Sequence, residues 1–194
     1  MPETYSPEIH EFYEECGDYD SQELRTKENI VHAPDHLRRI NFITSVIKSM
    51  KWNSLLDIGC GGCFFERELQ KDSSYKEKEI YGLDLTKGWS SLSKDYLQTI
   101  RGDWVYLPFK EKSVDLIVWS EGPEHAINPV EVFEKISKLT KKYFITSVPN
   151  WERLIPGHLT VYDEELLKGQ LFPFFTKVSI IKVKPWWIMA LCII

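Results

Sequence analysis

Two short acid-and-glycine stretches hold the chemistry most easily read from this sequence. Asp57-Ile58-Gly59-Cys60-Gly61-Gly62-Cys63 closes one apolar run, and Tyr81-Gly82-Leu83-Asp84-Leu85 closes the next. Glycines directly after a strand let the chain turn sharply and bring backbone N–H groups against a ligand with no Cβ in the way. A carboxylate at the end of the following strand can accept both hydroxyl protons of a ribose. Together they read as a nucleoside site. The dinucleotide fingerprint calls for glycine three residues after Gly61, where this chain has Phe64, and no Gly-Lys-Ser/Thr follows. A nucleoside without a pyrophosphate therefore fits better than a dinucleotide or a P-loop ligand.

Such a site needs strands that end on one side of a sheet, and the order of elements supplies them. Pro34 to Met50 carries Leu37, Ile40, Phe42, Ile43, Val46 and Ile47 at helical spacing, with Pro34 suited to a first turn. Short apolar runs at Ser54–Ile58, Glu79–Leu83, Val114–Ser120 and Tyr143–Val148 read as buried strands. The segments Phe64–Lys71, Trp89–Thr99 and Pro129–Thr140 between them read as helices. This alternation predicts a parallel sheet covered on both faces. A further short helix opens at Asp163, with acids in its first turn. Thr176–Val183 and Trp186–Ile193, joined at Lys184-Pro185, read as a C-terminal antiparallel hairpin that also accounts for the aromatic Trp186-Trp187 patch.

Composition narrows the function classes. The 194 residues suit one domain, and 43% hydrophobic with 27% charged residues excludes a disordered tail, a collagen-like repeat or a coiled coil. A formal net charge of −5 offers no broad basic face, so nucleic acid is not the expected partner. Residues 1–33 read as an N-terminal arm or lid, with nine acids against two bases in its first 28 residues, and residues 34–194 as a single domain. The acidic start has no apolar stretch of the kind a signal peptide needs. The one sustained apolar run, Trp186 to Ile194, is far short of the ~20 residues that span a bilayer. Cysteines at 16, 60, 63 and 192 do not form the framework of a small secreted domain, which points to a reducing, cytoplasmic setting. Oligomeric state is left open.

LLDIGCGGCFFEREL, IYGLDL, GDWVYLPFKEKSVDLIVWSEGPEH and ITSVPN resemble the successive motifs of class I S-adenosylmethionine-dependent methyltransferases, and HLTVYDEELL extends the likeness to about residue 167. The resemblance implies an α/β, Rossmann-like, seven-stranded and mostly parallel sheet ending in an antiparallel hairpin. It implies S-adenosylmethionine as cofactor, with Asp57, Gly59, Cys60 and Gly61 at its methionine end. Asp84 and Leu85 would then hold the ribose, Asp103 and Trp104 would lie at the adenine, and Ser120 and Glu121 would floor the pocket. Cys63, at the third glycine-type position of the loop, is where the sequence departs from the family pattern. The acceptor is expected to be a small molecule, with His125 as the base that takes its proton.

Two other chemistries share these residues. Cys60 and Cys63 flank two glycines between a strand and a helix, as in thioredoxin-like proteins, where a helix N-terminus lowers a thiol's pKa. A redox fold would leave Asp84, Asp103 and Glu121 without a role. Glu121-Gly122-Pro123-Glu124-His125 resembles a stretch that follows the fourth strand in many small-molecule methyltransferases. In small-RNA 2′-O-methyltransferases a similar stretch, helped by a later histidine for which His158 is the candidate here, binds a divalent metal. Two carboxylates and two imidazoles suit a borderline or hard ion. The preferred expectation is the plainer one: no metal, Glu124 capping or pairing, His125 lining the cleft. His10, His32 and His36 show no ligand spacing.

Overall fold

Strand β1 (Ser54–Ile58) has no polar face: all five residues are buried, as they must be in a strand covered by helices on both sides. In the computed structural model, which describes residues 34–61, 63–85, 98–152, 154, 157–183 and 186–194, β1 pairs in parallel with two strands. These are β2 (Glu79–Asp84) and β4 (Val114–Ser120). β3 (Gln98–Arg101) extends the sheet beyond β2, and β5 (Thr140–Pro149) extends it beyond β4, both parallel. The last two strands, β6 (Lys177–Val183) and β7 (Trp187–Ile193), form the expected antiparallel pair. β7 inserts between β5 and β6, giving the order β3-β2-β1-β4-β5-β7-β6.

Helices pack on both faces. On one side α1 (Pro34–Ser49) and α2 (Phe64–Gln70) set Ile40, Ile43, Ile47, Phe65 and Leu69 against Leu55, Leu116, Val118 and Ile145. On the other, α3 (Pro129–Leu139) and α4 (Glu164–Leu171) bring Val132, Phe133, Ile136, Leu167 and Leu171 against Leu56, Ile58, Ile117 and Trp119. Neighbouring residues of one strand thus feed opposite cores, as the period of two requires. Both later helices start where the sequence supplies a cap: Asn128 Oδ1 accepts from Glu131 N at 3.4 Å, and Asp163 Oδ1 from Leu166 N at 2.7 Å.

One element departs from expectation. The helix read over Trp89–Thr99 lies mostly outside the described residues, but its last two positions, Gln98 and Thr99, belong to β3. There Thr99 pairs with Gly82 and Ile100 with Leu83, so ladder pairing at the open edge of β2 overrides the local pattern. The arm over residues 1–33 and the Lys184-Pro185 turn also lie outside the described residues. Among the described residues no helix is long and apolar enough to cross a membrane.

The carboxyl ends of β1, β2, β4 and β5 share one edge of the sheet. From β1 the chain first builds outward through β2 and β3, then reverses to β4 and β5. That reversal opens a crevice beyond Ile58 and Ser120, the place where open α/β sheets hold their ligands.

Candidate active site

The glycine turn sits at this crevice. Gly59 and Gly61 have φ of 69° and 46°, left-handed values that side chains with a Cβ rarely adopt. Gly59 N and Cys60 N both donate to Leu83 O, at 2.7 and 3.2 Å, which folds the turn over the end of β2. Gly61 N then donates to Asp84 Oδ2 at 2.9 Å. The two features singled out in the sequence are therefore joined by one bond, and Asp84 keeps acceptor capacity beyond it. Cys63, at φ 55°, is the left-handed N-cap of α2 and closes the turn through its N–H to Cys60 O at 2.8 Å.

Beneath the turn two carboxyls lie against each other. Asp57 is 2% exposed and Glu66, in the first turn of α2, is 0% exposed. Burial raises Asp57 well above the carboxylate range, and the neighbouring Glu66 adds to this; burial pushes Glu66 up to about 7. Among the described residues no hydrogen-bond donor reaches either Glu66 oxygen. The Cys60 thiol above them also holds its proton: contact with Cys63, then burial, raises it. That is the reverse of the depressed value a disulfide-exchange thiol needs, and Cys60, Cys63 and Cys192 are free.

The adenine candidates follow β3. Gly102 N donates to Asp84 O at 2.9 Å, and Asp103 Oδ1 accepts from Val105 N at 2.9 Å, an Asx turn that presents Trp104. Trp104 is half-buried with its ring 5.5 Å from that of Trp119, so it belongs to the core as well as to the crevice rim. Leu85, half-buried, directly follows β2 and accepts from Arg101 Nε at 3.2 Å.

The floor is more elaborate than the sequence suggested. Ser120 Oγ receives a 2.6 Å bond from Arg39 Nη1 of α1 and lies 2.7 Å from Ser147 Oγ of β5. The same guanidinium is 3.4 Å from Glu121 Oε1 and stacks over the Trp187 ring at 5.5 Å. Glu121 carries φ 57° and its N–H is held by Ser147 O at 2.9 Å, a strained backbone of the kind that persists only where surrounding bonds over-determine it. Burial raises Glu121, and Arg39 offsets part of that rise. Arg39, Ser147 and Glu66 were not foreseen. A signal existed for two of them: Arg39 lies one turn before Ile43, and Glu66 three residues before Leu69, both charges on otherwise apolar helix faces.

The opposite wall is a 3₁₀ turn, Pro123–His125. Glu124 is fully buried with neither carboxyl oxygen hydrogen-bonded among the described residues, and burial and then Glu121 hold it well above the carboxylate range. His125 Nδ1 lies 2.8 Å from Gly157 O, so Nδ1 carries the hydrogen and Nε2 the lone pair. That Nε2 is 4.0 Å from Glu124 Oε1. Burial lowers His125 to about 4, which leaves a neutral imidazole at pH 7. His158 meets His125 edge-on at 4.6 Å and stacks on Trp151 at 5.5 Å. Ligand atoms of Glu124, His125 and His158 lie within 4.8 Å of one another. The structure thus gathers His125 and His158, which the sequence separates widely, onto one wall of the crevice.

Comparison with known proteins agrees with this geometry. Residues 56–144 match the family model described as a methyltransferase domain. Magnesium protoporphyrin IX methyltransferase from Synechocystis PCC 6803, solved with bound SAH, superimposes with a TM-score of 0.71 at 12% identity, over 97% of this chain and 99% of that one. A SAM-dependent methyltransferase from Aquifex aeolicus gives 0.64 at 17% identity over 80% and 97%. The methyltransferase domain of the bacterial CtHen1-CN gives 0.64 at 19% over 81% and 98%. A search of curated proteins finds no match. The chain thus carries a methyltransferase-domain match over residues 56–144 and shares its fold, strand order included, with S-adenosylmethionine-dependent methyltransferases.

Proposed function

We propose that this chain transfers a methyl group from S-adenosylmethionine to a small-molecule acceptor held between the glycine turn and the Glu121–His125 segment. The observation that carries the reading is the 2.9 Å bond from Gly61 N to Asp84 Oδ2 at the reversal of strand order. The turn also fits the cofactor sterically, because nothing stands within 4 Å of where a Cβ on Gly59 would be. In this reading Asp57, Gly59, Cys60 and Gly61 hold the methionine end and Asp84 and Leu85 the ribose. Asp103 and Trp104 lie at the adenine, with Ser120 and Glu121 below.

When bound, the cofactor supplies a methyl group on a sulfonium, already activated for displacement. The chain contributes placement: a rigid turn on one side, a braced floor beneath and a wall opposite that fixes the acceptor in line. Orientation of this kind supplies about 7–11 kcal/mol. His125 receives the proton of a hydroxyl or amine acceptor at Nε2, because Gly157 O fixes the hydrogen on Nδ1 and burial keeps the ring neutral. The net charge of −5 favours a small acceptor over a polyanion. Residues 34–194 form a single domain, in a cytoplasmic setting that keeps the cysteines reduced. Calorimetry with the donor and its demethylated product, followed by transfer of labelled methyl to a metabolite extract, tests the reading. Absence of binding by either compound overturns it. Deleting residues 1–28 should lower turnover far more than thermal stability.

A second reading has its own observation. The orphaned Glu124 carboxyl and two neutral imidazoles within 4.8 Å form a donor set suited to a divalent Zn, Mn or Fe ion. His125 is oriented for it, since Nδ1–H to a backbone carbonyl is a common outer-shell support of a histidine ligand. A bound ion there would polarise an acceptor hydroxyl, as in a metal-assisted 2′-O-methyltransferase acting on RNA. Activity lost to a chelator and restored by a divalent ion supports this second reading. Chelator-resistant turnover in protein that mass spectrometry shows to be metal-free overturns it.

A further inference from the structure

Glu66, the buried carboxyl beside Asp57 under the glycine turn, is unused by any step above. Asp57 ends β1 and Glu66 begins α2, so the turn that carries Gly59 and Gly61 spans directly from one acid to the other. Both are enclosed, at 2% and 0% exposure. The groups that face Asp57 are Glu66 from α2, Cys63 from the turn and Asp84 from β2, and every one of them disfavours a negative charge there. Cys60, in the turn itself, is in turn affected by Asp57, Asp84 and Cys63. Among the described residues no donor satisfies either Glu66 oxygen. Two carboxyls packed together without a donor can hold only one negative charge at low cost, and they do so by sharing a proton. A positive charge arriving above them removes that restriction.

We propose that Asp57 and Glu66 are a proton-sharing pair that reads the charge of the bound cofactor, favouring the positively charged methyl donor over its demethylated product. The inference rests on the cofactor reading of the turn. The donor and product differ by a methyl group and by one positive charge on sulfur; both carry the same amino acid end. Donor binding drives the shared proton out, so two carboxylates face a cation. After transfer the sulfur is neutral, the pair takes a proton back from solvent, and the product is left facing a single negative charge. Glu66 acts through Asp57 and the turn, and is a positioning residue. The exchange biases the site against its own product at neutral and higher pH.

Calorimetry on the intact chain tests this, with S-adenosylmethionine and S-adenosylhomocysteine measured between pH 6 and 7.5 in two buffers of different ionisation heat. If one proton leaves a group that titrates near 7, donor affinity rises roughly eightfold over that range. At pH 6 the buffer dependence then reports close to one proton released for the donor, falling to about a quarter by pH 7.5, and far less for the product. In Glu66→Gln the rise for the donor flattens to within about twofold, while a merely structural role for Glu66 leaves the slope in place. Should that variant fold poorly, the proton count on wild-type protein decides alone. Tight donor binding with no proton released, or equal release for donor and product, overturns the pair. Failure of both compounds to bind overturns the cofactor assignment itself.

Discussion

The two walls of the cleft are built on different principles. The glycine-turn wall is local: residues 57–66 and 83–85 assemble it, and its contacts run from backbone N–H groups to Leu83 O and to one carboxylate. The facing wall and floor are assembled from side chains distant in sequence. Arg39 reaches Ser120 across 81 residues, Ser147 reaches it across 27, and His125 meets Gly157 across 32. A backbone cradle can persist through many side-chain changes because its donors are not side chains. A network of side chains depends on each member, since removing one leaves buried polar atoms unpaired. Cofactor recognition should therefore reside in the first wall, and acceptor handling, together with much of the local stability, in the second.

The contrast breaks most visibly at Asp84. Asp84→Ala removes the acceptor of the Gly61 N–H and, in the proposed reading, of the ribose as well. Donor affinity by calorimetry should fall roughly 100-fold, two lost charge-assisted bonds at about 1.5 kcal/mol each, while the melting temperature changes little. Comparable losses of affinity and stability would show that the turn is a structural feature first. Next in size is Arg39→Met, which keeps the packing over Trp187 but strips the cation from Glu121. Because the Glu121 side chain is 23% exposed, the cost should be about 2 kcal/mol in denaturant unfolding, below the 3–5 of a fully enclosed pair. Donor affinity should stay within threefold. Gly122→Ala comes third. A Cβ there would stand 1.9 Å from Trp119 Nε1, and Trp119 is fully buried against Trp104 and Phe133. Relief requires the backbone after Glu121 to shift, at about 1–2 kcal/mol, and turnover should drop more than cofactor affinity does.

The same contrast explains what the sequence made legible. The glycine turn and Asp84 could be read because each sits directly after its strand, and adjacency in the chain is adjacency in the site. Buried strands and helix starts were legible for a similar reason: Leu55-Leu56 and Asp163-Glu164-Glu165 carry their structural instruction locally. β3 was not, because Gln98–Arg101 has neither the alternation nor the apolar content of a strand and is fixed by the open edge of β2. Arg39 and Ser147 escaped for want of any local mark tying them to Ser120. Glu66 carried a faint mark, an acid three residues before Leu69 on an apolar helix face, and the sheet beneath it closes it off completely.

Glu66 of one wall and His125 of the other carry opposite proton linkage, the smallest effect expected here and the one that compares the two most directly. His125 is lowered from its ordinary 6.5 to about 4. Between those values the unfolded chain binds a proton that the folded one refuses, so this ring withdraws stability as the pH falls. Glu66 is raised from 4.5 to about 7. In that window the folded chain holds a proton that the unfolded one has released, so Glu66 adds stability as the pH falls and removes it as the pH rises. Asp57 and Glu124 are raised too and lie on the same side as Glu66, so the informative quantity is the difference between each variant and wild type. In chelator-treated protein unfolded by urea from pH 7 to pH 4.5, Glu66→Gln should lose stability relative to wild type, and His125→Gln should gain it. Each difference should reach about 1–2 kcal/mol by pH 4.5, below the sum of the two shifts because neighbouring groups share them. A His125→Gln curve parallel to wild type would mean that the ring titrates as it does in water, and that the second wall is open where the first is closed.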